Sequence, residues 1–352
     1  MAWLVADGFD YYGTVGDLAR SVWDNVVITG VTLDSLTRFG VGQSWKVTTS
    51  NLPSLLKNTT NETTFVIAVA YYWPAALGGT NPALTLVFRD AGTAQCTVCF
   101  ESGGNITLKS GTQTGTVLAT YPAAIPQAQW THFQLKVVIN ATTGALTIRK
   151  NGSPSDSFAA TGLNTRGGTA NNYANSVLVQ SGTTFTAGNE WYIDDLFVCS
   201  GSGAVPNDWT GDIRALVLMP SGDTGQKQFG VFPGASPTNA SAVDELFGNA
   251  DTDYVFDSTV GHEDLYTLAD LPVTPAAIIG VVSKVCIKKS DAGARSGQLR
   301  VLSGGTEVGG VDTVLGSTYS YLSRVDVVDP ATGVAWTPAA VNALQVGQKV
   351  TA

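Results

Sequence analysis

Charge is scarce in this chain. Only 13% of its 352 residues are Asp, Glu, Lys or Arg, where an ordinary soluble domain carries roughly 25%. A disordered, solvated chain is thereby excluded, because disorder needs high charge and few apolar residues. Basic residues are the scarcer kind, 19 against 28 acidic, for a net charge of −9. Binding nucleic acid through its phosphates requires the opposite balance, so general DNA or RNA binding is excluded. Histidine occurs twice, at His132 and His262, and cysteine four times, at Cys96, Cys99, Cys199 and Cys286. A four-ligand zinc site is poorly served by so few, scattered donors. Long apolar runs are also missing. The longest, residues 64–77, contains Tyr71, Tyr72 and Pro74 and falls short of the ~20 residues that span a bilayer. The opening MAWLVADGFDYY shows no basic n-region and no apolar h-region. The expectation is a protein made in a cytoplasm and not inserted in a membrane.

Glycine and proline, 39 and 14 residues, fall between short apolar runs and predict many turns and few long helices. Residues 130–140 give the clearest strand. Phe133, Leu135, Val137 and Ile139 alternate with His132, Gln134 and Lys136, one apolar face and one polar. A second strand carries Leu146 and Ile148 and ends at the turn signal Asn151-Gly152. Further strands are predicted over 44–49, 64–73, 84–89, 95–101, 105–109, 116–120, 176–180 and 191–199, with one short helix near 15–23. So many strands in ~200 residues predict a β-sandwich. Cys96 and Cys99 form a C-x-x-C on a strand, where residues three apart face opposite ways. They are read as structural thiols rather than a redox or metal pair.

Residues 1–205 carry 10 basic and 12 acidic side chains, net −2, whereas 206–352 carry 9 and 16, net −7. Within 208–270 there are 11 acidic and 2 basic residues. A small, polar segment, CSGSGAVPNDW at 199–209, precedes this shift and predicts a boundary there. The predicted domains are 1–205 and 206–352. The second also reads as strands, at 212–219, 253–257, 278–288, 298–303, 306–311 and 318–328. Two short helices are predicted there. Residues 241–247 have Ser241 as N-cap, Asp244 at N3 and Gly248 past the end; residues 337–346 have Thr337 as N-cap, Pro338 at N1 and Gly347 as stop. The predicted class is all-β: a sandwich followed by a smaller β-rich domain with one or two short helices.

Three segments together resemble the concanavalin A-like (laminin G, pentraxin, lectin–glucanase) jelly-roll family. They are DGFDYY at 7–12, QWTHFQLKVVINATTGALTIRKNG at 129–152 and WYIDDLFVCSG at 191–201. The resemblance covers about residues 1–200 and implies a concanavalin A-like jelly roll. The whole chain is similar to structural proteins of tailed bacteriophages, on the same opening DGFDYY at 7–12 and on GDIRALVLMPSGD at 211–223, TDYVFDSTVGHEDLYTL at 252–268 and DPATGVAWTPAAVNALQVG at 329–347. That resemblance implies a virion component assembled in a bacterial cytoplasm, of tail-fibre, spike or surface-decoration type. Other virion proteins, and a host-surface glycan bound by the jelly roll, are the partners it implies.

Candidate sites are few. Glucanases of the jelly-roll family pair two carboxylates for nucleophile and acid/base roles. The nearest approach here is Glu190 with Asp194, which the closing strand also explains structurally. No G-x-S-x-G or H-E-x-x-H occurs, and a triad would have to use His132 or His262. The expectation is a non-enzymatic protein, with glycan cleavage as the alternative to test. Calcium would need hard oxygen ligands. Its candidates are Asp194 with Asp195, Asp7 with Asp10, and Asp251, Asp253 and Asp257; the competing reading is a solvated acidic surface. For a glycan, the candidate patch is Asn171, Asn172 and Tyr173 in the loop RGGTANNYANS. Low charge and a mean hydropathy of +0.12 predict an apolar surface covered by neighbours, hence a homo-oligomer or docking on a particle.

Overall fold

The computed structural model describes residues 3–48, 51–74, 82–182, 190–234, 238–246 and 251–352. The chain divides into two compact units. One comprises Met1–Asp10 and Thr14–Ala215, the other Tyr11–Gly13 and Leu216–Ala352. Almost all regular structure is antiparallel strand, as the turn-rich sequence requires.

The first unit is a jelly-roll sandwich. Its eight-stranded front sheet runs Ser153–Leu163, Gly144–Lys150, Thr131–Val138, Thr64–Tyr72, Trp191–Ser200, Ser44–Val47, Val31–Asp34, with Trp3–Asp7 also paired to Trp191–Ser200. The seven-stranded back sheet runs Val117–Tyr121, Ile106–Ser110, Thr93–Glu101, Pro82–Asp90, Ala174–Ser181, Ser54–Glu62, Asn25–Val27. Alternation decides what faces inward. Phe133, Leu135 and Val137 are fully buried, and rings from the two sheets meet between them: Phe65 with Phe88 at 5.2 Å and Phe100 with both Tyr71, at 5.1 Å, and Phe133, at 5.3 Å. Burying each such ring is worth ~2–3 kcal/mol.

Cys96 and Cys99 sit on the strand Thr93–Glu101, both free and both buried. Burial pushes their thiols up, Cys99 to about 12, so neither is a ready thiolate. The predicted helix near 15–23 is a 3₁₀ turn, Val15–Arg20, with Asp17 accepting from the Thr14 backbone at 2.9 Å.

The second unit is built on a six-stranded sheet: Pro220–Lys227, Glu263–Leu268, Gln345–Val350, Ser296–Ser303, Thr306–Gly309, with Thr313–Val314 beside Ser296–Ser303. Two smaller sheets pair Gly230–Phe232 with Tyr254–Phe256 and Val281–Ile287 with Ser320–Asp326. Its core gathers Leu299, Val301, Leu322, Trp336, Val341 and Leu344. Tyr11, near the start of the chain, belongs to this unit: its ring lies 6.3 Å from Tyr321, and Lys284 Nζ sits 3.4 Å above it.

Three expectations are corrected here. Residues 212–219 are not a strand; up to Ala215 they follow the first unit, fastened to it largely through side chains. The helix expected over 337–346 is one turn, Pro338–Asn342, capped by Thr337 as predicted. Gly347 does not stop it but lies inside the strand Gln345–Val350, whose ladder with two neighbours outweighs a further helical turn. The helix expected over 241–247 is a 3₁₀ turn, Ala240–Ala242, braced by Thr238 and Ser241; Phe247 and Gly248 lie outside the described residues. Among these residues no helix is long and apolar enough to cross a membrane.

Candidate functional site

The polar face of the front sheet carries most of the titratable candidates. His132, Ala70 and Asp194 lie side by side on three neighbouring strands, as do Gln134, Ala68 and Phe197. Paired residues share a face, so two alanines form a low floor between His132 and Gln134 on one side and Asp194 on the other.

Residues 208–215 cross this face as a strap. Lys136 Nζ holds Asp208 at 3.0 Å, the Arg149 guanidinium lies 4.2 Å from the Trp209 ring, and Gln134 Nε2 donates to Thr210 Oγ1 at 2.7 Å. His132 Nδ1 is 3.3 Å from Asp212. Arg38 pairs with Asp212 and donates to Ile213 O at 2.9 Å. Ala215 N donates to Asp195 at 2.7 Å. The strap explains why His132 is 0% exposed although it stands on the outer side of its sheet.

Three carboxyls gather at the end of the strap. Asp194 accepts from the Arg38 and Asp195 backbone N–H groups, at 3.2 and 2.8 Å. Asp195 lies 3.4 Å from Arg38 Nη1. Asp10 accepts from Gln43 N at 2.7 Å. Burial, with repulsion from Asp195 and Asp7, raises Asp10 to about 7. Burial raises Asp194 and Asp195 as well, with Asp195 adding to the effect on Asp194. His132 is pulled down by burial, and further by Arg38. Protonated acids and a neutral imidazole are the forms a water-poor site favours.

The predicted site residues have separate partners. Glu190 bonds Lys46 at 2.7 Å and accepts from Tyr192 at 3.1 Å, whereas Asp194 is held by backbone donors. Asp7 holds Phe9 N and the Trp23 indole, at 2.9 and 2.8 Å. In the second unit Asp251 takes Lys288 and the Tyr319 hydroxyl, and Asp257 takes Thr259 N and His262. Asp253 is a neighbour of Glu245, whose carboxyl is raised by burial first and Asp253 next. No group of three or more His, Cys, Asp or Glu side chains is arranged for a metal ion among the described residues.

Asn171, Asn172 and Tyr173 lie together on the loop that enters the strand Ala174–Ser181. Asn171 donates to Asp90 at 2.8 Å; Asn171 and Asn172 are both exposed and Tyr173 is half-buried. Sequence reasoning missed Asp90, Gln95, Arg38 and the strap. The Gly167-Gly168 pair was the available signal that this loop approaches another backbone.

No family model matches the chain, and no curated protein matches it in sequence. Solved structures do match. The GH131 β-glucanase catalytic domain from Podospora anserina is 12% identical, covering 60% of this chain and 100% of its own, with a TM-score of 0.39. The catalytic domain of the glycoside hydrolase family 131 protein from Coprinopsis cinerea is 15% identical, covering 60% and 99%, with a TM-score of 0.40. Lectin II from Ulex europaeus is 11% identical, covering 56% and 99%, with a TM-score of 0.37. At these identities the likeness concerns fold and assigns this chain neither ligand nor reaction.

Proposed function

We propose that this chain is a non-enzymatic structural protein of a tailed-bacteriophage particle. In this reading the jelly roll recognises a host-surface glycan through its loops, and the acidic second unit docks on other virion proteins or on further copies. The observation that carries it is the strap. The polar face of the front sheet is filled by the chain's own residues 208–215, and the carboxylates on it are committed to Arg38 and backbone N–H groups. Such an arrangement serves structure better than turnover, which needs a carboxylate pair open to substrate. The virion setting is supported by the sequence motifs at 7–12, 211–223, 252–268 and 329–347.

The covered face also favours a second reading, a decoration or cement protein without a ligand. One experiment separates the two. The full chain is incubated with host cells and with a panel of bacterial surface polysaccharides, and particles are probed for the chain. Particle association with glycan binding supports the first reading, and association without binding supports the second. Sugar release that disappears in Glu190→Gln would overturn both.

A further inference from the structure

The loop leading into Ala174–Ser181 is fixed more firmly than an exposed turn requires. Gln95 is 0% exposed, and its side chain serves this loop alone. Its Nε2 reaches Thr169 Oγ1 at 2.8 Å, Asn171 O at 2.7 Å and Tyr173 O at 3.0 Å. Its Oε1 accepts from the backbone N–H groups of Gly168 and Thr169, both at 3.1 Å. Asp90, 3% exposed, accepts from Thr169 Oγ1 at 2.6 Å, Asn171 Nδ2 at 2.8 Å and Asn175 Nδ2 at 3.1 Å. A Cβ on Gly168 would come within 2.3 Å of Ala94 O, and one on Gly167 within 2.5 Å of Gly111 N, so only glycine lets this backbone lie so close.

Burying an amide and a carboxylate is costly unless their polar atoms are satisfied. Water would satisfy the same loop atoms in solvent without that cost. What the buried pair adds is a single loop shape. Thr169 and Asn171 spend their side chains on Asp90, and Arg166 is tied to Ala170 O at 2.8 Å. Asn172 and the Tyr173 hydroxyl are left without a partner among the described residues, adjacent on the surface. An amide offers donor and acceptor together, and a phenol ring adds an apolar face with a polar tip. Neighbouring hydroxyls on a ring with apolar C–H faces complement both.

Resting on the recognition reading above, we infer that Asn172 and Tyr173 contact a hydroxyl-rich glycan, and that Gln95 and Asp90 are positioning residues that hold the loop ready for it. Asn171 is then part of the scaffold. Prebuilding the loop removes an ordering cost that binding would otherwise carry.

The test applies the full chain to a printed array of bacterial capsular polysaccharides and lipopolysaccharides, then measures affinity for the strongest binder by calorimetry. Asn172→Ala and Tyr173→Ala should each weaken binding about tenfold, near the value of one lost hydrogen bond or ring contact, with the thermal midpoint unchanged. Gln95→Ala should weaken binding similarly while amide exchange rises at residues 168–173. Should it fail to fold, Asn175→Ala, which removes one Asp90 contact, supplies the same readout. Equal binding by the wild type and the Asn172→Ala/Tyr173→Ala double variant would overturn this inference and leave the recognition reading standing. Failure of the wild type to bind any array member would overturn both.

Discussion

Replacing Asp10 by Asn should stabilise the first unit at pH 8 and leave it unchanged at pH 3. The Asp10 carboxyl is raised from 3.8 to about 7 in the folded chain, by burial first and by Asp195 and Asp7 after it. Below pH 3.8 both states hold the proton, and Asp10 costs nothing. Between 3.8 and 7 the unfolded chain ionises while the folded chain does not, so stability falls as pH rises. Above 7 the loss is complete. Three units at 1.36 kcal/mol each set a ceiling of ~4 kcal/mol. Asp10 is only partly buried, and screening by solvent brings the figure to about 2 kcal/mol. Asn keeps an oxygen for Gln43 N and does not titrate. The Asp10→Asn variant should therefore melt about 4–8 °C higher than wild type at pH 8 for a unit of this size, and at the same temperature at pH 3. Calorimetry of the first unit's transition at the two pH values decides it. A shift of equal size at both would refute the assignment of a raised carboxyl to this site.

Two further perturbations probe other parts of the molecule. In Gly347→Ala the new Cβ would lie 1.8 Å from Asp264 O, a backbone atom that cannot yield; the second unit should lose more than ~3 kcal/mol while the first keeps its melting transition. Trp209→Ala removes the ring under Arg149 and should cost about 1 kcal/mol. Its clearer effect should be faster proteolysis within 202–215, read by mass spectrometry, with the sandwich core still resistant.

Where the chain alternates, the sequence was legible. Phe133, Leu135 and Val137 face inward as their spacing requires, and Thr337 caps its turn with Pro338 behind it. Where the evidence lies far along the chain, it was not. His132 reads as a solvated residue on the polar side of a strand, because nothing near it announces a strap about 80 residues later. Residues 215–219, ALVLM, look like a strand, but a strand needs a neighbouring edge and finds none there. The edge strand Ser153–Leu163 hides for the opposite reason: its residues are mostly exposed, and few are large and apolar, so no apolar face marks it. Asn171 and Asn172 look alike in sequence and are both exposed; only the bond to the buried Asp90 sets Asn171 apart.

The path of the backbone has an evolutionary consequence. It passes from one unit to the other three times, after Asp10, after Gly13 and after Ala215. Recombination at any one junction would give a second unit without its Tyr11–Gly13 segment, or a sandwich without its whole first strand, Trp3–Asp7. A single exchange therefore cannot replace one unit and leave both whole; a second crossover within the first fifteen residues would be needed.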